Sequence, residues 1–251
     1  MVKRYQILNI WTDSVTQQQA IEQLDHFVQD DSKLHTVFSA NPEKNYSVPA
    51  DPLLYQVFKK SDLLLPDGIG VVIAARILHN IKIKRLPGCE FMQQTCAHAQ
   101  DQGYKVFIYG AKQDVLFGAI KKLRSMFPEL DIVGHYHGYW PDDKMDQLVT
   151  MINKSEAQIL FLALGSPKQE QWIEKYGRKL KTVKVCECIG GTLDVINGNV
   201  KRAPKLFCRC GLEWLYRLIK QPKRISRQWV LPLFAVQIFG VKLKSIILGK
   251  P

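Results

Sequence analysis

The chain has 251 residues, of which 46% are hydrophobic and 23% are charged, and this composition excludes an intrinsically disordered protein. Its net charge of +12 lies at one end, because after residue 200 twelve lysines and arginines stand against one acid, Glu213, a net charge of +11. The first 200 residues are nearly neutral, with 23 basic and 22 acidic groups. We therefore predict a main domain over residues 1–195 and a basic appendage over residues 196–251, with different partners.

The N-terminus and the cysteines indicate the compartment. Residues 1–6 lack the apolar core of a signal peptide and Asp13 follows too early for one, so we expect a cytosolic protein. Its six cysteines are then expected to be thiols. Cys186 and Cys188 lie in an alternating strand pattern, and close zinc pairs usually have wider spacing, so we predict no structural zinc.

The first third of the chain alternates strand and helix patterns. Residues 5–10 alternate like a strand that opens the sheet, and Asp13 or Ser14 is expected to cap the helix that follows. Residues 35–39 form the next strand, which ends with Ser39 at the polar turn containing Asn41.

The strand at residues 63–65 runs into Pro66-Asp67-Gly68-Ile69-Gly70. Ligands of open α/β sheets bind at the carboxyl ends of strands, so Asp67 is placed where a substrate would lie. The alternative is that Asp67 only caps the helix beginning near Gly68. Since the Asn41 turn is of the same type, the two strand ends predict one shared pocket.

The middle of the chain adds candidate anion and nucleotide contacts. Arg85, in the basic loop at residues 82–88, is the candidate anion contact. The strand at residues 104–109 ends at Gly110 and precedes a helix, a unit typical of nucleotide-binding folds. There is neither a complete G-x-G-x-x-G nor a P-loop, so the sequence predicts no dinucleotide or ATP site and no cofactor.

Three further turns carry candidates. Tyr136, in an aromatic loop after the strand at residues 131–133, is expected to stack on a base or sugar. Two histidines flank it, but no carboxylate accompanies them at ligand spacing, so no metal is predicted. Gln169 follows the strand at residues 157–164, where its spacing from Ser166 also fits a capping box. Asp194 lies in the last turn, a candidate for holding part of a ligand.

At least five strand-then-helix repeats predict an α/β fold with a doubly wound, mostly parallel, Rossmann-like sheet. In the appendage, residues 229–241 are apolar, but these thirteen residues are fewer than the roughly 20 of a membrane span. Lysines and arginines flank them, so we predict a segment that lies in an anionic membrane surface. Nucleic acid is the rival partner for such charge, and we exclude it because the apolar side chains would find no use on phosphate.

Five motifs, in order over nearly the whole chain, together resemble the WecG/TagA/CpsF family of bacterial glycosyltransferases. They are Ser39-Ala40-Asn41-Pro42-Glu43, Leu65-Pro66-Asp67-Gly68, Arg85-x-x-Gly88, Gly165-x-Pro167-Lys168-Gln169-Glu170 and Gly211-Leu212-Glu213-Trp214-Leu215-Tyr216-Arg217. The resemblance implies a metal-independent, inverting enzyme. It would move a sugar, typically of the N-acetylmannosamine type, from a UDP-sugar onto an undecaprenyl-diphosphate-linked sugar at the cytoplasmic membrane face. The resemblance also implies that the appendage closes over the site and docks on the membrane, and that members can self-associate.

The resemblance further implies roles for individual residues. Asp67 would be the general base, and Arg85 would stabilise the departing diphosphate. Asn41 and Gln169 would hold donor or acceptor, and Ser39 stands where the family usually has threonine. The other binding candidates are the nucleotide contacts Gly110, Tyr136 and Asp194 and the appendage arginines Arg217, Arg224 and Arg227.

Two other functions stay open on the residues alone. A soluble nucleotide-dependent α/β enzyme, such as an oxidoreductase, fits the sheet, although the incomplete glycine pattern counts against it. A non-catalytic membrane-binding protein fits the basic, apolar tail.

Overall fold

The computed structural model describes residues 2–200, 204, 207, 213–220 and 229–248, apart from the side chains of Arg217 and Lys220. The strands are β1 (Lys3–Ile7), β2 (Ile10–Ser14), β3 (His35–Ala40), β4 (Leu63–Pro66), β5 (Val106–Gly110), β6 (Ile132–Tyr136), β7 (Ile159–Ala163) and β8 (Val185–Cys188). The α-helices are α1 (Gln17–Gln29), α2 (Lys44–Ser47), α3 (Pro52–Lys60), α4 (Ile69–His79), α5 (Gly88–Gln102), α6 (Gln113–Met126), α7 (Met145–Lys154), α8 (Lys168–Tyr176), α9 (Thr192–Asn197), α10 (Glu213–Lys220) and α11 (Val230–Ile247).

Six strands form one all-parallel sheet in the order β4-β3-β8-β7-β5-β6. Because every strand runs the same way, all six carboxyl ends meet at one edge. The predicted parallel, Rossmann-like α/β fold is confirmed.

Helices cover both faces of this sheet. Successive residues of each strand point to opposite faces, so neighbouring side chains pack against different helices. Val37 packs with α1, α5, α6 and α9 on one face, and its neighbour Phe38 packs with α3, α7 and α8 on the other. Burial on both faces explains why the strands are apolar without alternation, as in residues 63–65.

The N-terminal segment differs from the prediction. β1 pairs with β2 as a separate antiparallel hairpin, so residues 5–10 do not open the main sheet. Asp13 lies buried within β2, where it accepts hydrogen bonds from Arg4 and from the backbone N–H of Leu64. With Asp13 occupied there, Thr16 caps α1 in a capping box with Gln19.

The C-terminal apolar segment is longer than predicted. α11 runs for 18 residues and passes through Pro232, which lies in its first turn, where no backbone donor is required. By length and composition it could cross a membrane, so the expectation of a segment too short to span was wrong. The boundary between residues 195 and 196 stays a prediction.

One face of α11 packs on α4. Phe234 and Ile238 join a buried cluster with Ile7 of the hairpin and Val71 of α4, and Val230 is buried one turn before them. Leu231 is half-buried, and most other apolar side chains of α11 are exposed, among them Val236, Phe239 and Ile246. α11 is therefore anchored by its N-terminal half.

The four cysteines that the structure describes are free thiols, as predicted. Cys186 and Cys188 are both buried on the α3–α7–α8 face of β8. Cys208 and Cys210 lie outside the described residues.

Glu187, between these cysteines, points to the opposite face and is fully buried. Its Oε2 accepts a hydrogen bond of 3.0 Å from the Thr95 hydroxyl. Desolvation by burial raises the pKa of this carboxyl to about 8. It is therefore neutral in the folded protein at pH 7.

We expect the stability of the folded state to fall as the pH rises from about 4.5 to about 8, because the unfolded chain ionises Glu187 first. Glu187→Gln, which mimics the neutral carboxyl, should remove a pH-dependent loss of a few kcal/mol, on the order of 1.4 kcal/mol per pKa unit. Urea unfolding of both proteins at pH 5 and pH 8 measures this. An identical pH dependence in the two proteins would contradict the prediction.

Candidate active site

A cavity of about 930 Å³ lies at the carboxyl edge of the sheet. The predicted residues Ser39, Asn41, Asp67, Arg85, Gln169 and Asp194 all line it. Glu213, Trp214 and Leu231 line it from the C-terminal region. The structure thus brings the strand ends of β3 and β4 into one pocket, as their shared polar character predicts.

The Asp67 turn is held by the end of β3. The backbone N–H groups of Asp67 and Gly68 both donate to the Ala40 carbonyl, at 3.1 and 3.2 Å. Gly68, not Asp67, occupies the N-cap position of α4. The alternative role of Asp67 as the helix cap is therefore not supported, and its side chain borders the cavity.

The Asn41 turn packs directly against the Asp67 turn. Asn41 Oδ1 accepts from the backbone N–H of Lys44 at 3.0 Å, which fixes the start of α2. A β-carbon at Gly68 would lie 2.7 Å from Cδ of Pro42 and 3.2 Å from Cα of Asn41. The spacing between Asn41 and Asp67 thus depends on glycine at position 68.

We expect Gly68→Ala to push these two turns apart and to lower the free energy of unfolding by about 1–3 kcal/mol, because overpacking strains a fitted contact. Any reaction that uses Asn41 together with Asp67 should slow. Gly240→Ala is the matched control, since a β-carbon there meets nothing within 4 Å. Thermal unfolding and turnover of both variants test this, and equal stability of the two would contradict the expected clash.

Arg85 lines the cavity and contacts the first residue of α10. Its Nε donates to the Asp67 carbonyl at 2.6 Å, and its Nη2 donates to Glu213 Oε2 at 2.6 Å. The same Nη2 lies 4.0 Å from Asp67 Oδ1. Arg85 therefore forms a row of charges with Asp67 and Glu213, and sequence reasoning did not predict the contact with Glu213.

Ser39 is placed by the start of α5. A β-carbon on Gly88 would lie 2.5 Å from Ser39 Oγ and 3.9 Å from Asp67 Oδ2. Glycine at position 88 therefore lets the α5 N-terminus approach both side chains.

A part-buried ion pair at the wall of the cavity connects α2 with α8. Lys44 Nζ pairs with Glu170 and bonds Ser166 Oγ at 2.7 Å. Ser166 is thus engaged with Lys44, and the N-cap of α8 is Pro167 without a side-chain cap, so the predicted capping box with Gln169 is wrong. Lys44 and Glu170 are 126 residues apart, and no sequence signal joins them.

Gln169 is buried at the same wall. Among the described residues, its Oε1 has no hydrogen-bond partner. A buried amide oxygen without a partner is costly, so this group is well suited to accept a hydrogen bond from a ligand.

A second cavity of about 340 Å³ adjoins the first and shares Asp194 with it. Ala111, Gly138 and Tyr139 form its wall, whereas Gly110 and Tyr136 line neither of the two cavities. Gly110 packs on the Ala163 backbone with a φ of 135°, and Tyr136 packs edge-on against Trp140. The residues that follow them along the chain, rather than these two, face this space.

The remaining candidates are the three arginines of the C-terminal region, whose side chains lie outside the described residues. Arg217 lies on α10 with its side chain undescribed, and Arg224 and Arg227 are outside the described residues. Within the described ranges, no group of three or more His, Cys, Asp or Glu side chains is arranged to hold a metal ion.

Comparison with known proteins adds three findings. The family model described as "Glycosyl transferase WecG/TagA/CpsF family" matches residues 5–246. An N-acetylglucosaminyldiphosphoundecaprenol N-acetyl-beta-D-mannosaminyltransferase of Bacillus subtilis is 36% identical over 228 residues, 90% of this chain and 87% of that protein. A protein of the same name from Bacillus spizizenii is 34% identical over 209 residues, 83% and 80% of the two chains.

Proposed function

The chain belongs to the WecG/TagA/CpsF family of glycosyltransferases, and from this premise we propose that it transfers N-acetylmannosamine, or its uronic acid, from a UDP-sugar to an undecaprenyl-diphosphate-linked sugar. Such a reaction belongs to the synthesis of a bacterial cell-surface polysaccharide. The observation that carries the proposal is the cavity at the sheet edge, where the Asp67 carboxylate lies beside the Arg85 guanidinium. A base next to a cation is what a sugar transfer with a diphosphate leaving group requires.

Asp67 acts in this proposal as the general base. The acceptor hydroxyl gives its proton to the carboxylate while its oxygen forms a bond to the anomeric carbon of the donor. The bond from that carbon to the diphosphate oxygen breaks, and UDP leaves with the electron pair. This single displacement inverts the anomeric configuration.

Arg85 stabilises the charge that develops on the departing diphosphate. Its guanidinium is fixed by the Asp67 carbonyl, so it needs little reorganisation as the charge develops. Arg217, Arg224 and Arg227 are proposed to add positive charge from the appendage. In this scheme the arginines, not a metal ion, neutralise the leaving group.

The other polar groups hold the substrates. Asn41, Ser39 and Gln169 share the main cavity with Asp67 and are proposed to bind the two sugars. Asp194 borders both cavities and is proposed to hold the nucleotide where they join. Gly110 and Tyr136 act indirectly in this proposal, by placing Ala111 and Tyr139 around the smaller cavity.

We further propose that α11 docks the enzyme on the cytoplasmic face of the membrane. Ile238 and the buried residues before it hold the first half of the helix on α4. The nine residues 239–247 extend for about 14 Å at 1.5 Å per residue, about half of the hydrocarbon thickness of a bilayer. Exposed Phe239 and Ile246, with Lys242 and Lys244 beside them, fit a helix lying at an anionic surface.

UDP release tests this function. The full-length protein is incubated with undecaprenyl-diphosphate-N-acetylglucosamine and a panel of UDP-sugars, with each reaction repeated without acceptor. Acceptor-dependent release with UDP-N-acetylmannosamine or its uronic acid is the expected result. Release with no member of the panel would contradict the assigned reaction, and tight NAD(P) binding would instead favour a nucleotide-dependent oxidoreductase.

A further inference from the structure

Glu213 is the one acid among the residues after 200, a region with twelve lysines and arginines. Its side chain is nevertheless buried, with 5% of the residue exposed. Burying a carboxylate is costly unless a cation and hydrogen bonds compensate it. In the wall of the main cavity, Glu213 therefore requires a cationic partner.

That partner is Arg85, which belongs to the main domain. Glu213 Oε2 accepts from Arg85 Nη2 at 2.6 Å, while Arg85 Nε donates to the Asp67 carbonyl at 2.6 Å. The guanidinium is thus held on two sides at once, by a backbone oxygen and by a carboxylate. A long arginine side chain has many rotamers, and two such contacts select one of them.

We propose that Glu213 is a positioning residue: it fixes Arg85 beside Asp67 and competes with the donor diphosphate for the same guanidinium. The inference rests on the proposed function, because it assumes that the Arg85 guanidinium faces a diphosphate. A carboxylate 2.6 Å from this guanidinium must also repel a diphosphate that approaches it. Glu213 therefore aligns the cation for the transition state and weakens its hold on the UDP product.

A variant that lacks the Glu213 charge should therefore turn over more slowly but bind UDP more tightly. Turnover should fall by about 10²-fold, because a small displacement of a catalytic group has effects of that size. UDP binding should tighten several-fold, because the competing carboxylate is gone. If Glu213 only attached α10 to the main domain, its loss would weaken turnover and UDP binding together.

The experiment compares full-length wild type with Glu213→Gln, Glu213→Asp and the control Glu156→Gln. Glu156 pairs with Lys105 at 2.7 Å at the surface, away from the cavity, so the control removes a carboxylate from an ion pair outside the site. Isothermal titration calorimetry measures UDP binding, and acceptor-dependent UDP release measures turnover. We expect E213Q to bind UDP more tightly and turn over more slowly, E213D to lie between it and wild type in turnover, and E156Q to match wild type.

Two results for E213Q would overturn the inference. The first is wild-type turnover in E213Q, and the second is weaker UDP binding by E213Q alongside slower turnover. If E213Q does not fold, E213D is used in its place, and weaker UDP binding by E213D would also overturn the inference. An inactive wild type marks failure of the proposed function itself, and the inference then falls with it, whereas an active wild type with either of the first two results refutes the inference alone.

Discussion

Asp67→Asn is expected to lower acceptor-dependent turnover by about 10²- to 10⁴-fold, the range that a positioned general base contributes. The amide has the same shape as the carboxylate but cannot take the proton of the acceptor hydroxyl. The turn itself should persist, because its hydrogen bonds to the Ala40 carbonyl come from backbone N–H groups. Thermal unfolding should therefore stay close to wild type while UDP release is lost.

Asp146→Asn is the matched control for this variant. Asp146 is largely exposed on α7, pairs with Lys179 and lies outside both cavities. It should retain full turnover. If Asp67→Asn kept more than a tenth of wild-type turnover, Asp67 would not be the base, and another group in the cavity would have to take the proton.

Phe234→Ala is expected to cost about 3–5 kcal/mol of stability, as a buried phenylalanine replaced by alanine commonly does. Phe234 is 4% exposed, and its ring also lies against the Gly70 segment that follows Asp67. Loosening α11 should therefore also disturb the carboxyl end of β4 and slow turnover. Urea unfolding and UDP release measure the two effects.

Phe239→Ala provides the comparison on the same helix, since Phe239 is 63% exposed. It should leave stability and the turnover of a detergent-solubilised acceptor unchanged. Binding to phosphatidylglycerol vesicles should weaken by about tenfold, because an inserted phenylalanine contributes roughly 1.5–3 kcal/mol of apolar burial. Unchanged vesicle binding would contradict docking through the exposed face of α11, and equal stability of the two variants would contradict the anchoring role of Phe234.

Local patterns predicted several elements because their causes are local. Strand β4 is an example: residues 63–65, which run into the turn at Asp67, form a buried strand as predicted. No local pattern marks the hairpin at residues 3–14, because its turn uses Leu8 at a φ of 55° and contains no glycine. α11 continues past the predicted end at residue 241 to Ile247, because Lys242 and Lys244 interrupt the apolar run but are good helix formers.

The sequence by itself determined the parallel α/β class, the polar strand ends at Asn41 and Asp67, and the concentration of basic charge after residue 200. Each of these follows from residue period, turn chemistry or charge over a short stretch of chain. Only the tertiary structure decided which other strand ends join the pocket of these two, because strand order depends on how helices of both layers pack. The pair of Arg85 with Glu213 spans 128 residues, so no local pattern encodes it. Folding places Glu213, the one acid after residue 200, in the wall of the same cavity as Arg85, where the two side chains form an ion pair.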